Sequence, residues 1–196
     1  MKNLIHKLYD WLLEKSRSPQ AFWYLGIISF TESSVSFIPP DPIMIPMIVA
    51  EKKRAWTLAL WTTFTSVAGG FLGYAIGFFL FERLGIPILK AYGLMKHLDT
   101  FQSFFHEWGF WAIVIKALTP IPFKLVTITA GALKFNIWSF FIASTLSRGF
   151  RFFVEAALLW KFGEQINRII QKHMMVLGGL FVVLLVGGFI VVRYLF

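Results

Sequence analysis

The sequence predicts an all-α integral membrane protein with two helix–break–helix re-entrant hairpins and about three full transmembrane helices in an inverted repeat, after an N-terminal amphipathic helix. Of the 196 residues, 57% are hydrophobic and 23 are Phe, which is more apolar surface than a soluble domain of this size can bury. The charged residues stand in short clusters between long apolar runs. Prolines interrupt two of those runs near the middle.

Residues 1–18 are predicted to form an amphipathic helix that lies on the membrane surface. One helical face carries apolar side chains at Leu4, Leu8, Trp11 and Leu12. Most of the charged residues of this segment lie on other faces, which is typical of interfacial helices. Ser18 and Pro19 end the segment, so we expect residues 19–196 to form a single polytopic membrane domain.

Three stretches are predicted to cross the membrane as helices. Residues 55–81 carry no charge, and at ~1.5 Å per residue they reach about 40 Å, enough to cross with tilt. Residues 135–160 form the second stretch, although it contains two arginines and a glutamate. A C-terminal helix over residues 174–195 is the third.

Two other apolar segments are predicted to be re-entrant hairpins, because prolines break them. The predicted hairpin tips contain Pro39, Pro40 and Pro42 in the first segment and Pro120 and Pro122 in the second. Only the short run 43–50 follows the first break, and the second break splits residues 108–133 into pieces of about a dozen residues, roughly 17 Å each. A bilayer core is about 30 Å thick, so we expect neither piece to cross alone. The alternative is an ordinary proline-kinked span at each site.

The residues at each break also predict where the second helix of each hairpin begins. Asp41 precedes Pro42, and Thr119 precedes Pro120. This is the pattern of an N-cap followed by proline at the first helical position. Each second helix would then present free amide donors and a positive dipole end near mid-bilayer, where irregular backbone survives only if it lines a cavity.

The two broken segments are related by a shift of 80 residues. The shift places Pro40 on Pro120, Pro42 on Pro122, Arg54 on Lys134, Thr65 on Thr145 and Gly69 on Gly149. Each repeat, about residues 20–81 and 100–161, would hold a hairpin, a short basic linker and a long helix. Because a hairpin adds no crossing and a span adds one, the repeats would be inverted, as in secondary transporters.

Ionisable residues at membrane depth are the candidate functional residues, because each costs about 2.5 kcal/mol or more there. The basic candidates for binding a phosphate headgroup are Lys116, Lys124, Arg148 and Arg151. The acidic candidates for proton coupling or gating are Glu32, Asp41 and Glu155. The basic residues and the helix N-termini suit an anion, whereas carboxylates would repel it unless protonated, which suggests proton coupling. The alternative is a set of structural salt bridges.

Several other classes of function are excluded or disfavoured by the composition. The net charge of +9 is spread between apolar runs, so it indicates membrane orientation and anionic headgroups rather than nucleic acid. There is no cysteine, which excludes disulfides and thiolate metal sites. The run AGGFLGYAIG lies within a predicted span, so it indicates close helix packing rather than a dinucleotide loop. No nucleophile–base or metalloprotease motif appears, and we expect no enzyme activity, metal or cofactor.

A series of motifs resembles a known family. They are Glu32 before FIPPDP, the glycine-rich GGFLGYAIG, KALTPIPFK before TAGAL, and SRGFRF. Their order and spacing, over roughly residues 20–165, resemble the DedA family, also called the VTT or SNARE-associated Golgi protein domain, and most closely its YqaA-type branch. The resemblance implies two opposed re-entrant hairpins and lipid movement across bilayers, by undecaprenyl phosphate recycling in bacteria or phospholipid scrambling in eukaryotes.

The resemblance also assigns roles to individual residues. It implies that Glu32 and Asp41 are the family's essential acids and that Lys116 and Lys124 occupy its two basic positions beside the second proline turn. Arg148 stands in an SxxGR-like stretch, shifted here to SRG. Members that transport lipids more often have arginine at the two lysine positions, and lysine lacks the bidentate fork that suits phosphate.

The favoured hypothesis is a multi-pass transporter of the bacterial inner (plasma) membrane that flips an anionic lipid carrier, a polyprenyl phosphate or a phospholipid. The acidic residues suggest proton coupling as an additional feature of this transporter. Its partners would be membrane lipids rather than nucleic acid, and the hypothesis allows either a monomer or an oligomer. The first alternative is a proton-coupled exchanger of small ions built on the same acidic residues. The second is a membrane scaffold or assembly factor that transports nothing.

Overall fold

The computed structural model describes residues 18–91, 98–115, 117, 119, 122–163 and 165. In these residues the chain is helical and contains no strand. The helices are α1 (Pro19–Ser34), α2 (Asp41–Ala50), α3 (Ala55–Leu80), α4 (Ile86–Ala91), α5 (Leu98–Ile115), α6 (Phe123–Ala132) and α7 (residues 137–163). Residues 1–17 of the predicted amphipathic helix and the predicted C-terminal helix 174–195 lie outside the described residues.

Helix α3 is the long central helix around which the others pack. Together with a 3₁₀ turn before it (Lys52–Arg54) and a π-helical turn after it (Phe81–Gly85), it forms a continuous helical segment. In the part of the chain that the structure describes, the segment Lys52–Arg83 is the one helix long and apolar enough to cross a membrane. The predicted helix over residues 55–81 is therefore confirmed.

Glycines let other helices approach the backbone of α3. A Cβ atom at Gly69 would collide with the carbonyl of Phe30 in α1, and one at Gly77 would collide with the carbonyl of Ile128 in α6. The glycine-rich run of α3 thus serves close helix packing on two sides, as the sequence indicates.

Helices α3 and α7 are antiparallel, and their ends meet. At one end, hereafter the Lys52 end, the Lys52 side chain lies against Gly163. At the other, the Glu82 end, Glu82 Oε1 lies 3.1 Å from Nζ of Lys134, just before α7. Helix α7 starts behind Asn136, whose side-chain oxygen accepts hydrogen bonds from two backbone amides of the first turn.

The first broken segment starts and ends at the Lys52 end. Helix α1 runs parallel to α3, with the Phe22 carbonyl bonded to Trp61 near the start and Ser33 in contact with Ser66 further on. The chain then leaves helical conformation over residues 35–40, where the prolines remove backbone donors. Helix α2 returns toward the Lys52–Arg54 turn, and its ten residues reach about 15 Å, half of a bilayer core.

The second broken segment starts and ends at the Glu82 end. Helix α6 runs parallel to the second half of α3, with Phe123 beside Gly70 and Thr127 beside Gly73. Helix α5 approaches from the Glu82 end, where the ring of Phe105 lies 5.5 Å from that of Phe135. The two broken segments therefore enter from opposite ends of α3 and meet near its middle.

Two apolar clusters flank a central polar layer. The cluster toward the Lys52 end contains Leu25, Met44, Ile48, Leu58, Phe152 and Leu159. The cluster toward the Glu82 end contains Tyr74, Ile113, Phe123, Ala130, Phe140 and Ala143. Between these clusters, along α3 and α7, lies a set of polar residues, hereafter the central polar layer. Five are buried, namely Ser33, Ser66, Lys124, Thr127 and Arg148, and three are partly buried, namely Glu32, Asp41 and Arg151.

The outer surface of the helices is apolar and aromatic. Large side chains such as Phe64, Phe79 and Phe150 are exposed, and Trp138 is 72% exposed. An exposed apolar surface around a buried charged layer is the reverse of a soluble protein and suits a lipid environment.

Three predicted helix limits are wrong. Asp41 is the first residue of α2 rather than its N-cap, which is Pro40, and the Asp41 carboxylate binds Arg151. Helix α6 begins at Phe123 behind Pro122, so Thr119 is not its N-cap. Helix α5 begins at Leu98 rather than near residue 108, and its 18 residues reach about 27 Å. Its first turns carry charged and polar residues, so a search for apolar runs does not include them in the helix.

Candidate functional site

The candidate site is the central polar layer, where the two broken segments meet. Helix α1 ends at Ser34 and α2 begins at Asp41, while α6 begins at Phe123. Helix α7 passes this point with Arg148 and Arg151 on one face. The site therefore combines the ends of three short helices with the middle of a long one.

Arg148 is the most deeply buried charged residue of the layer. Its side chain is 1% exposed, and its Nη2 donates a hydrogen bond of 2.7 Å to Oε2 of Glu32, which is 14% exposed. The Arg148 Nε donates to the hydroxyl of Ser66. The rings of Phe123 and Phe152 lie 4.9 and 4.7 Å from the centre of the guanidinium group. Such a charge is tolerated in the interior because it is paired, hydrogen-bonded and stacked on aromatic faces.

Ser33 completes a ring of polar contacts around Arg148. Its Oγ lies 2.6 Å from Oγ of Ser66 and 3.3 Å from Oε2 of Glu32. Arg148 therefore binds Glu32 on α1 and Ser66 on α3, and the Ser33 hydroxyl contacts both of these groups. This arrangement links α1, α3 and α7 at the same depth.

A second ion pair lies one turn further along α7. Arg151 Nη2 donates a hydrogen bond of 2.8 Å to Oδ1 of Asp41, at the start of α2. Glu155 lies on the next turn, beside Asp41 and Arg151. Oδ2 of Asp41 and Oε1 of Glu155 are buried and have no hydrogen-bond partner among the residues that the structure describes. Two carboxyl groups thus lie near one guanidinium group here, and Asp41 is the one that is hydrogen-bonded to it.

Lys124 joins the second broken segment to the first. Its side chain is buried, and its Nζ donates to the carbonyls of Val35 and Ser36 at 3.3 and 3.1 Å. The ammonium group also lies over the ring of Phe37. These carbonyls follow the last turn of α1, so Lys124 satisfies free acceptors at the negative end of that helix. Thr127 adds a hydrogen bond of 3.2 Å to the Ser33 carbonyl.

The structure brings most of the predicted site residues together. Glu32 pairs with Arg148, Asp41 pairs with Arg151, and Glu155 lies beside the second pair. Lys124 faces the same break but binds backbone carbonyls, a use that the sequence does not predict. Pro39, Pro40 and Pro42 lie in or directly after the first break, and Pro122 directly precedes α6. Lys116 and Pro120 lie outside the described residues.

The hydroxyl residues of the central polar layer were not identified from the sequence as part of the candidate site. Ser33, Ser66 and Thr127 are buried and contact either an ionised group or a helix end. A signal was present, because hydroxyl residues are dense in the middle of an otherwise apolar span, in the run TTFTS (residues 62–66).

The layer contains three cations, Lys124, Arg148 and Arg151. It also contains the carboxyl groups of Glu32 and Asp41, and Glu155 lies beside it. Arginine binds phosphate and carboxylate in similar geometry. No group of three or more metal-ligating side chains occurs in the described ranges.

Comparisons with known proteins agree with the resemblance seen in the motifs. Residues 38–161 match the VTT domain model. The chain is 32% identical to an uncharacterised protein of Haemophilus influenzae over 186 residues, which cover 95% of this chain and 96% of that protein. A similar uncharacterised protein of Histophilus somni is 28% identical, with 95% and 97% covered. No solved structure matches the chain. The chain therefore belongs to the VTT domain family, the DedA family of membrane proteins.

Proposed function

We propose that the protein carries a lipid with an anionic phosphate headgroup, such as a polyprenyl phosphate, across the bacterial inner membrane. The observation that carries this proposal is the pair of ion bridges, Arg148 with Glu32 and Arg151 with Asp41, at the point where two broken helices meet. Buried ionisable groups in a membrane domain are costly and mark transport pathways by default.

The proposal includes two re-entrant hairpins in an inverted repeat. It is supported by the chain path, since each broken segment starts and ends at its own end of α3. It is also supported by the helix spacing: α1, α2 and α3 begin 79, 82 and 82 residues before α5, α6 and α7. Inverted repeats with broken helices at mid-depth are a common architecture of secondary transporters.

In the proposed mechanism, Glu32 and Asp41 are internal counterions that the headgroup replaces. A phosphate that enters the layer would take the place of a carboxylate on Arg151 or Arg148. The displaced carboxylate would then carry an uncompensated charge in the interior, a costly state unless it takes up a proton from water. Release of the lipid would return the carboxylate to its arginine and the proton to water. Headgroup transfer and proton uptake would thus be coupled.

The lipid tail needs no protein site in this mechanism. The outer surface beside the layer is apolar and aromatic, with exposed residues such as Phe64 and Phe150. A headgroup can therefore cross in the polar layer while its tail stays in the surrounding lipid, so the energetic cost of moving the molecule falls mainly on the headgroup.

The test is transport in proteoliposomes. Fluorescent polyprenyl phosphate in the inner leaflet should become accessible to an external quencher faster with the protein than without it, whereas the matched neutral polyprenol should not. Arg151→Gln should reduce the rate to near background. Arg54→Gln is the matched control, because it removes an exposed arginine that pairs with Glu51, and it should transport normally. Equal rates for protein-containing and empty vesicles would refute the proposal.

A proton-coupled ion exchanger is the second candidate, favoured by the two unpartnered carboxyl oxygens of Asp41 and Glu155. Oxygen ligands of this kind can bind a small cation. A pH-sensitive dye inside vesicles that contain no polyprenyl phosphate separates the candidates. A cation gradient that changes the internal pH, without any lipid movement, would favour the exchanger.

A further inference from the structure

The guanidinium group of Arg148 is held on one edge and open on the other. Nε donates to the Ser66 hydroxyl and Nη2 donates to Glu32. Nη1 is buried and has no hydrogen-bond partner among the residues the structure describes. A phosphate that displaced Glu32 could therefore bind Nη1 and Nη2 together, as arginine binds oxyanions bidentately.

The position of the Ser66 hydroxyl is fixed by helix packing. Ser66 is fully buried on α3, and its Oγ lies 2.6 Å from that of Ser33 on α1. One turn further along α3, Gly69 lets the α1 backbone approach closely at Phe30. The hydroxyl thus belongs to a rigid contact between two helices and not to a mobile surface.

We propose that Ser66, supported by Ser33, is a positioning residue for the headgroup site of Arg148. It keeps Nε engaged, so the Nη1–Nη2 edge stays in place when Glu32 is displaced by a phosphate monoester headgroup. This inference rests on the proposed function. Without the Ser66 hydroxyl, the guanidinium group would lose its remaining hydrogen bond at the moment of exchange and could turn away from the ligand.

The chain offers a matched control for this inference. Ser29 also lies buried between α1 and α3, and its hydroxyl donates a hydrogen bond of 2.9 Å to the Thr62 carbonyl. Ser29→Ala therefore removes a buried hydroxyl hydrogen bond at the same helix interface without touching Arg148. A general packing or folding effect should appear in both Ser66→Ala and Ser29→Ala.

The experiment is a titration of purified protein with undecaprenyl phosphate in detergent micelles, followed by native mass spectrometry and by thermal shift. We expect Ser66→Ala to weaken binding roughly tenfold, which is the size of a lost hydrogen bond to a charged group. Ser29→Ala should bind within twofold of the unmodified protein, and Ser66→Thr, which keeps the hydroxyl, should restore most of the affinity. Equal weakening in Ser66→Ala and Ser29→Ala would overturn the inference.

A double-mutant cycle tests whether Ser66 acts through Arg148. Methionine has no hydrogen-bond donor, so in an Arg148→Met background the Ser66→Ala change should cause no further loss of affinity. A full tenfold loss in that background would show that Ser66 acts by another route and would contradict the inference.

A spectroscopic readout separates this inference from the proposed function. In protein with ¹⁵N-labelled arginine, the Nε–H signal of Arg148 is identified because it disappears in Arg148→Lys. This proton should exchange slowly with water in the unmodified protein and in Ser29→Ala. It should exchange fast in Ser66→Ala. If the unmodified protein binds no undecaprenyl phosphate, the proposed function fails. If it binds and the Nε–H exchange is the same in all three proteins, only the positioning inference fails.

Discussion

Arg148 shows at the residue scale how a charge is kept inside this protein. Its side chain is almost wholly buried, yet Glu32, Ser66 and two aromatic rings surround it. Burying an arginine alone would be strongly unfavourable, and its partners return that cost only while all of them are present. Substitution of Arg148 or Glu32 alone should therefore lower the free energy of unfolding more than substitution of both residues together.

We predict that Arg148→Met lowers the free energy of unfolding by about 3–5 kcal/mol, because it leaves Glu32 charged and without its partner. Combining it with Glu32→Gln should recover part of the loss, since the remaining buried carboxylate is then gone. Denaturant unfolding of the purified protein in detergent measures both variants. Strict additivity of the two changes would contradict the coupling.

Lys124 and Lys134 allow a second prediction at this scale. Lys124→Met should destabilise the protein by about 2 kcal/mol, because two carbonyls at the end of α1 lose a charged donor in a partly buried place. Lys134→Met is the comparison: its bridge to Glu82 is exposed, with side chains 55% and 66% accessible, and should contribute less than about 1 kcal/mol. Thermal melting in detergent should rank the variants in this order, and the reverse order would reject the capping role.

At the scale of elements, α3 positions the site because other helices pack directly on its backbone. Gly77 contacts the Ile128 carbonyl of α6, and Gly131 of α6 contacts the Tyr74 carbonyl of α3. This reciprocal contact carries Lys124 and Thr127 to the end of α1. The spacing between α3 and α6 therefore sets the geometry of the polar layer.

We predict that Gly77→Ala prevents α6 from packing, because the added methyl group would overlap the Ile128 backbone, which cannot move aside like a flexible side chain. Gly149→Ala is the matched control, since a methyl group there meets only Thr63 at an ordinary distance of 3.8 Å. Folded yield and melting temperature in detergent should fall for Gly77→Ala alone. Similar behaviour of the two variants would argue against the close packing.

At the scale of the whole molecule, two broken segments approach α3 from opposite ends, and α7 lies antiparallel to it. The Lys52 end gathers the starts of α1 and α3 and the ends of α2 and α7. The Glu82 end gathers the end of α3 and the start of α7. If α3 and α7 cross the bilayer, each broken segment returns to the side from which it entered.

Topology is testable because the chain has no cysteine to remove. We predict that single cysteines at Gln20 and Lys53 are labelled by an impermeant thiol reagent from one side of the membrane. Cysteines at Arg83 and Lys134 should be labelled only from the other side. Labelling of positions 20 and 53 from opposite sides would mean that the first segment is a kinked span and would end the re-entrant proposal.

The sequence by itself determined the properties that act locally: the membrane character, the helix over residues 55–81, the breaks at the prolines, the glycine packing surface and the membership of a family. It also identified the acids and bases of the polar layer. Apolar runs, prolines and glycines produce these structural features through local sequence alone, so distant residues are not needed to predict them.

Only the tertiary structure decided which charges meet and what each one binds. Glu32 and Arg148 are 116 residues apart in the chain, and Asp41 and Arg151 are 110 apart. Their pairing depends on how α1, α2 and α7 pack, as does the use of Lys124 on the end of α1 and of Ser66 on Arg148. The contact of Asp41 with a distant arginine also depends on packing and is not visible in the local pattern around Pro42.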